Sequence, residues 1–259
     1  MDAANGSQIT PPAEALLREW ISTFGSMIQR KTFDTDRGHE EDFKTLFGIC
    51  TQAVRFAEAY LVCEQAGFVR EAQTLARASL EDAVTAQWCY FREGGMERLR
   101  VDQLHKSSAY YLAMADWLGD DELRVKARMI PVPPAEAKGM MKFTQVLGEL
   151  DDLGFLRISY LNLSRATHVT DATVNEYLHH DHAGVFAVNL APDFAFSFQG
   201  LFVSAAGALL GAALIADLTL DADWIAKLDQ ASDEILAPLI LRGNLAEARR
   251  RDVSTMLPE

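Results

Sequence analysis

Cysteine is scarce in this chain: Cys50, Cys63 and Cys89 are the only three in 259 residues, far apart and without a C-x-x-C pair. So thin and odd a set excludes a disulfide framework and a thiolate metal cage, and predicts reduced thiols in the core of a cytoplasmic protein. The opening residues M-D-A-A-N-G-S-Q have neither a basic nor an apolar region, so no secretory signal is expected. Phosphate-cradling glycine patterns are missing too: there is no G-x-G-x-x-G and no Walker loop. Without G-x-S-x-G or H-E-x-x-H, the nucleophile elbow of an α/β-hydrolase and the helix of a zinc protease are also excluded. Positive charge is in deficit, 24 Lys and Arg against 37 Asp and Glu, for a net charge of −13. That balance opposes the phosphate attraction behind most nucleic-acid affinity. The short run Arg249, Arg250 and Arg251 reads as a helix end rather than a nucleic-acid tail.

What the chain has in quantity is apolar surface, 49% of its residues, enough for one large core. From Phe194 to Ala216 it runs F-A-F-S-F-Q-G-L-F-V-S-A-A-G-A-L-L-G-A-A-L-I-A without a charge, long enough to cross a bilayer. Its flanks argue against that reading. Asp193, Asp217, Asp221 and Asp223 surround it, and neither end carries the basic cluster of a membrane loop. Apolar all round, with Ser197, Gln199 and Ser204 inside it, the run predicts a buried central helix near 194–217 and no membrane contact. Gly207-x-x-x-Gly211 permits close helix approach, and a dimer seam is expected there.

Elsewhere the apolar residues recur at helical spacing. They predict helices over about 11–32, 41–65, 69–91, 96–118, a short one before P-V-P-P at 131–134, then 135–152, 154–168 and 223–250. Val185 to Leu190 is the sole strand candidate, too short to found a sheet. Long helices on short connections imply an all-α, antiparallel multi-helix bundle. We read residues 1–259 as a single domain: an N-terminal helix, a core bundle over about 41–218 and a closing helix.

Two stretches suggest a site. In L-A-R-A-S-L-E-D, Arg77 and Glu81 lie four residues apart and share a helix face that continues through Val84, Trp88 and Phe91. Arg before Glu is the weaker order for an exposed pair, so an inward-facing pair that needs partners from another helix is expected. In Y-L-N-L-S-R-A-T-H, Tyr160, Ser164 and His168 succeed one another at i, i+4 and i+8 on nearly one side. A Glu81–His168 hydrogen bond would fix the imidazole and allow it to polarise Ser164. The plainer alternative is a helix terminus, with His168 on the last carbonyls and Asp171 or Thr173 capping the next helix.

Arg77-x-x-x-Glu81 followed much later by Tyr160-x-x-x-Ser164-x-x-x-His168 resembles a pattern in uncharacterised bacterial all-helical proteins known only as domains of unknown function. The resemblance spans roughly residues 45–215 and implies a helical bundle with these polar residues grouped together. More distantly, such bundles resemble the HEPN superfamily, whose ribonucleases carry an Arg-x(4–6)-His motif. Arg100-V-D-Q-L-His105 has that spacing, which makes a metal-independent ribonuclease on Arg100 and His105 the alternative function.

The third candidate is metallic. E-Y-L-H-H-D-H places Glu176, His179 and His182 within seven residues, and Glu176-x-x-His179 is half of a di-iron bundle motif. Its nearest counterpart is Asp102-x-x-His105, with Glu58 and Glu81 as bridging carboxylates, so zinc on His179 and His182 is the more economical reading. No other cofactor is implied. The expectation from sequence is a helical bundle with a binding or assembly role, forming a homo-oligomer and meeting a small molecule or protein rather than nucleic acid.

Overall fold

A computed structural model of the chain describes residues 12–29, 32–33, 35, 40–151, 154–168, 170, 177–180, 186–189, 197–219 and 221–241. It is an all-α bundle. Nine helices lie among these residues: α1 Glu14–Ile28, α2 Glu40–Gln65, α3 Val69–Phe91, α4 Gly95–Leu118, α5 Asp121–Met129, α6 Phe143–Leu150, α7 Phe155–Thr167, α8 Ser197–Thr219 and α9 Ala222–Ile235. Two three-residue strands, β1 Leu178–His180 and β2 Phe186–Val188, pair antiparallel with His179 opposite Ala187. The strand expected near 185–190 therefore exists, and it founds nothing beyond this pair.

The chain divides into two compact units, Met1–Val84 with Phe155–Ile240, and Thr85–Gly154 with Leu241–Glu259. The P-V-P-P stretch falls inside the second rather than at a boundary.

In the first unit α8 is the central element. Its residues are buried almost without a break from Gly200 to Ala216, and it packs against α1, α2 and α9, with a lighter contact to α7. Such a helix has no polar face to give to water, which is why the charge-free run ends up as core. Both α2 and α8 have the length and apolarity to cross a membrane; 83% of the apolar window of α8 is buried inside the protein. Around it, α1 buries Leu17, Trp20, Ile21 and Phe24, α2 buries Leu46, Val54, Ala57 and Tyr60, and α9 buries Leu228, Ala231 and Ile235.

Small residues set how closely these helices approach. A Cβ on Gly207 would stand 2.5 Å from Ser79 Oγ of α3, and one on Gly211 would stand 3.2 Å from the Cys50 carbonyl of α2. The glycine spacing that suggested a seam between copies is thus filled by α2 and α3 of the same chain. Ser79 completes the junction by donating to the Ala53 carbonyl at 2.8 Å.

In the second unit, Trp88 is fully buried and its indole N–H donates to Glu149 of α6 at 2.8 Å. Helices α4 and α5 form a hairpin. Gly119, at φ 66°, closes α4 in the left-handed region, and Asp120 caps α5 by accepting from the Glu122 and Leu123 amides.

Two predicted boundaries are corrected. The helix expected over 135–152 begins only at Phe143, because Pro134 turns the chain back through Ala137 N–H and Gln145 caps from inside by accepting the Lys142 amide at 3.1 Å. The closing helix, expected to reach 250, stops at Ile235. Leu236 takes a left-handed conformation, φ 61°, and Pro238 comes two residues later. Residues 242–250 lie outside those described.

Candidate functional site

The first unit brings the two polar stretches together. Arg77 sits on α3 with its side chain 20% exposed, and Glu81, one turn on, is 33% exposed. Its guanidinium has five N–H groups and makes five contacts. Nε and Nη2 donate to Glu81 Oε1 at 3.2 and 2.9 Å, and Nη2 also donates to the Tyr160 hydroxyl at 2.9 Å. Nη1 donates to Thr167 Oγ1 at 2.9 Å and lies 3.4 Å from His168 Nε2, a contact that is a hydrogen bond when that ring nitrogen is unprotonated. The guanidinium carbon also stands 4.9 Å from the Tyr160 ring centroid, within cation–π reach.

The electrostatics are set by this geometry. Burial opposes the charge on Arg77, but the Glu81 carboxylate and the Tyr160 hydroxyl more than offset it, so its pKa lies above the ordinary value. Burial raises the Tyr160 phenol as well, and neighbouring Glu81 raises it further, keeping that hydroxyl protonated. Next along α3, Asp82 is pushed up to about 6, first by burial and then by the charge of Glu81.

The expected Glu81–His168 pairing is replaced by an Arg77–His168 contact. Arg77 stands in the middle, with Glu81 on one side and the end of α7 on the other. Ser164 is committed elsewhere: its hydroxyl donates to the Tyr160 carbonyl at 2.7 Å, and its own carbonyl accepts the Thr167 hydroxyl and the His168 amide. It holds the last turn of α7 together, as a serine inside a helix commonly does. Thr167 is the contact that sequence reasoning missed. The signal was its place seven residues after Tyr160, on the same helix side.

Arg70 is a second omission. It lies seven residues before Arg77 on the same side of α3, is 4% exposed, and reaches the Ala166 carbonyl at 3.4 Å. Its guanidinium also stands 5.6 Å from the ring of Tyr177, whose hydroxyl donates to Glu71. Charged groups of α3 thus meet the end of α7 at two successive levels.

Among the described residues the other candidates do not converge. Arg100 and His105 are both exposed on α4, about 140° apart around the helix, and Arg100 lies 3.9 Å from Glu97. Asp102 pairs instead with Lys106 at 2.7 Å. Glu58 pairs with Arg55 at 2.8 Å. For the metal reading, Glu176 and His182 lie outside the described residues, and His179 is described only as part of β1. No cluster of three metal-binding side chains occurs among the described residues. Asp171 and Thr173, the expected caps, also lie outside them.

The cysteines do not supply a nucleophile in the core. Burial raises the Cys50 thiol well above its ordinary value and lifts Cys89 to about 12, so both stay protonated near neutrality. Cys63 is half-buried rather than a core thiol.

Fold and cluster together define a class: an all-α bundle in which one arginine ties two helices through a polar node. No family model, curated protein or solved structure matches the chain.

Proposed function

We propose that this protein acts by binding, and that the ligand meets the exposed edge of the Arg77 node at His168. One observation carries this reading. Each nitrogen of the Arg77 guanidinium already has a protein partner, so the node is assembled without a ligand, with His168 3.4 Å away at its rim. A prebuilt rim lowers the ordering cost of association. Catalysis through a Ser164–His168 pair has no such support, because the serine hydroxyl is spent on its own helix.

The groups at that edge, an imidazole, a phenol, a threonine hydroxyl and a carboxylate beside an arginine, suit a small polar molecule with both donors and acceptors. Thermal-shift measurements of the native protein and His168→Ala against a panel of carboxylates, phosphates and nucleotides test the reading. Binding at about 100 times Kd stabilises a protein by about 2.7 kcal/mol, which is readily seen as a rise in Tm. A compound that raises Tm in the native protein alone supports binding at this edge. A panel without effect, or one acting equally on both proteins, refutes it.

A further inference from the structure

Four small residues, Gly200, Ser204, Gly207 and Gly211, follow one another on the side of α8 that faces α2 and α3. Their neighbours fix the register. A Cβ on Gly200 would fall on Gln73 Oε1 of α3, Gly207 stands against Ser79, and Gly211 stands against the Cys50 carbonyl of α2, while Tyr60 reaches the Ser197 carbonyl. Helix α8 therefore runs parallel to α3 and antiparallel to α2, which puts Ser204 at the level of Ala76 and Ala57, both fully buried.

Two polar groups enter this level unmet. Gln73 and Ser204 are fully buried, and neither Gln73 Oε1 nor Ser204 Oγ has a hydrogen-bond partner among the described residues. Turning the amide over does not relieve the first. Gln73 Nε2 donates to the Val69 carbonyl at 2.8 Å, so exchanging its oxygen and nitrogen would set two acceptors against each other. The Tyr60 hydroxyl is also within hydrogen-bond reach of Gln73, but it gives its own proton to the Ser197 carbonyl at 3.1 Å and so meets the amide as an acceptor. Leaving an acceptor and a hydroxyl unmet in a protein interior is strongly unfavourable.

We propose that one internal water molecule is bound between α3 and α8 at this level, donating to Gln73 Oε1 and accepting the Ser204 hydroxyl. The chemistry selects water, because the oxygen needs a donor, the hydroxyl needs an acceptor, and a single water supplies both. A charged ligand would need a counter-charge, and Gln73, Ser204, Ala57 and Ala76 supply none. Scale agrees as well. Gln73 Oε1 takes the Cβ place of Gly200, and a Cβ one turn further along a helix lies about 5–6 Å away. Two hydrogen bonds of about 2.8 Å through one oxygen span that distance. Bound there, the water ties α3 to α8 at one register, which an apolar seam of small residues alone would not specify.

The full-length protein tests this by oxygen-17 relaxation dispersion of the solvent, which counts long-lived internal waters and is blind to exchanging hydroxyl protons. Two variants are measured beside the native protein: Ser204→Ala, and Ser204→Ala with Gln73→Met, which keeps the length of residue 73 and removes both polar groups. The double variant should hold about one long-lived water fewer. In urea, Ser204→Ala should lower the unfolding midpoint, because the water loses a partner, and adding Gln73→Met should recover part of that loss, because no polar group is then left unmet. An unchanged dispersion in the double variant overturns the proposal even where Ser204→Ala lowers the midpoint, since a direct bond between Ser204 and Gln73 gives that pair of results. A midpoint that Ser204→Ala leaves unmoved or raises overturns it too, because the hydroxyl then had no partner to lose.

Discussion

Arg77 touches Tyr160 in two ways at once: Nη2 donates to the hydroxyl at 2.9 Å, and the guanidinium carbon stands 4.9 Å from the ring centroid. The two residues are 83 positions apart, so this contact is part of what fixes α7 beside α3. An Arg–Glu pair four residues apart on one helix contributes only a few tenths of a kcal/mol by itself. Joined to α7 through Tyr160 and Thr167, the same arginine becomes a fastening between helices.

That difference is measurable in urea. Tyr160→Phe keeps the ring and removes the hydroxyl, and should cost about 1 kcal/mol. Arg77→Lys cannot reach Glu81, Tyr160 and Thr167 from one ammonium, and should cost about 1–2 kcal/mol. The double variant should lose less than the sum, because both changes break one shared contact. Strict additivity would show that the two side chains act independently, and the node would then have no energetic meaning.

The glycines of α8 give a prediction with a built-in ranking. An added methyl at 207 meets Ser79 Oγ at 2.5 Å and the Ser79 backbone at 3.1 Å, and no side-chain rotation moves the backbone away. At 211 the nearest atom is the Cys50 carbonyl oxygen at 3.2 Å, which needs a shift of only a few tenths of an ångström. Gly207→Ala should therefore cost about 2–3 kcal/mol in chemical denaturation and Gly211→Ala about 1 kcal/mol or less, within the usual range for overpacking. The reverse order would mean that α8 approaches α2 more tightly than α3.

Much of this architecture was readable in the residues. The charge-free stretch became α8 because a helix without a polar side has only the interior to occupy, and the third helix was placed at Val69–Phe91 by its apolar period and the glycines around it. The inward turn of Arg77 was legible in the poor orientation of its pair with Glu81. What stayed hidden was which atoms would meet. Periodicity places Tyr160, Ser164 and His168 on one side of α7, but it does not reveal that Ser164 returns its hydroxyl to its own backbone, or that Thr167 lies nearest the guanidinium. Such outcomes depend on rotation and offset between helices, which sequence spacing within one helix does not encode. The same limit applies to α9, where turn chemistry at Leu236 and Pro238 ended a helix that the apolar pattern alone would have prolonged.

Asp82 yields the prediction with a pH sign. It sits one residue after Glu81, its Oδ2 is buried with no hydrogen-bond partner, and its pKa is pushed up to about 6 from an ordinary 3.8. The folded state therefore binds this proton more tightly than the unfolded chain. Between about pH 4 and pH 6 the native protein holds a proton that the unfolded one has released, so Asp82 makes stability fall as pH rises through that window. Above it the deficit is constant, and below it the deficit disappears. Asp82→Asn keeps the shape and removes the titration. Its Tm should match that of the native protein near pH 4, rise above it progressively toward pH 6, and stay higher by a constant margin at pH 7. Carboxylates remote from Asp82 contribute equally to both proteins and cancel in the difference, and the repulsion between Asp82 and Glu81, lost in Asp82→Asn, adds to the margin in the same direction. If the two Tm curves run parallel across the window, Asp82 titrates normally and the buried oxygen has found water.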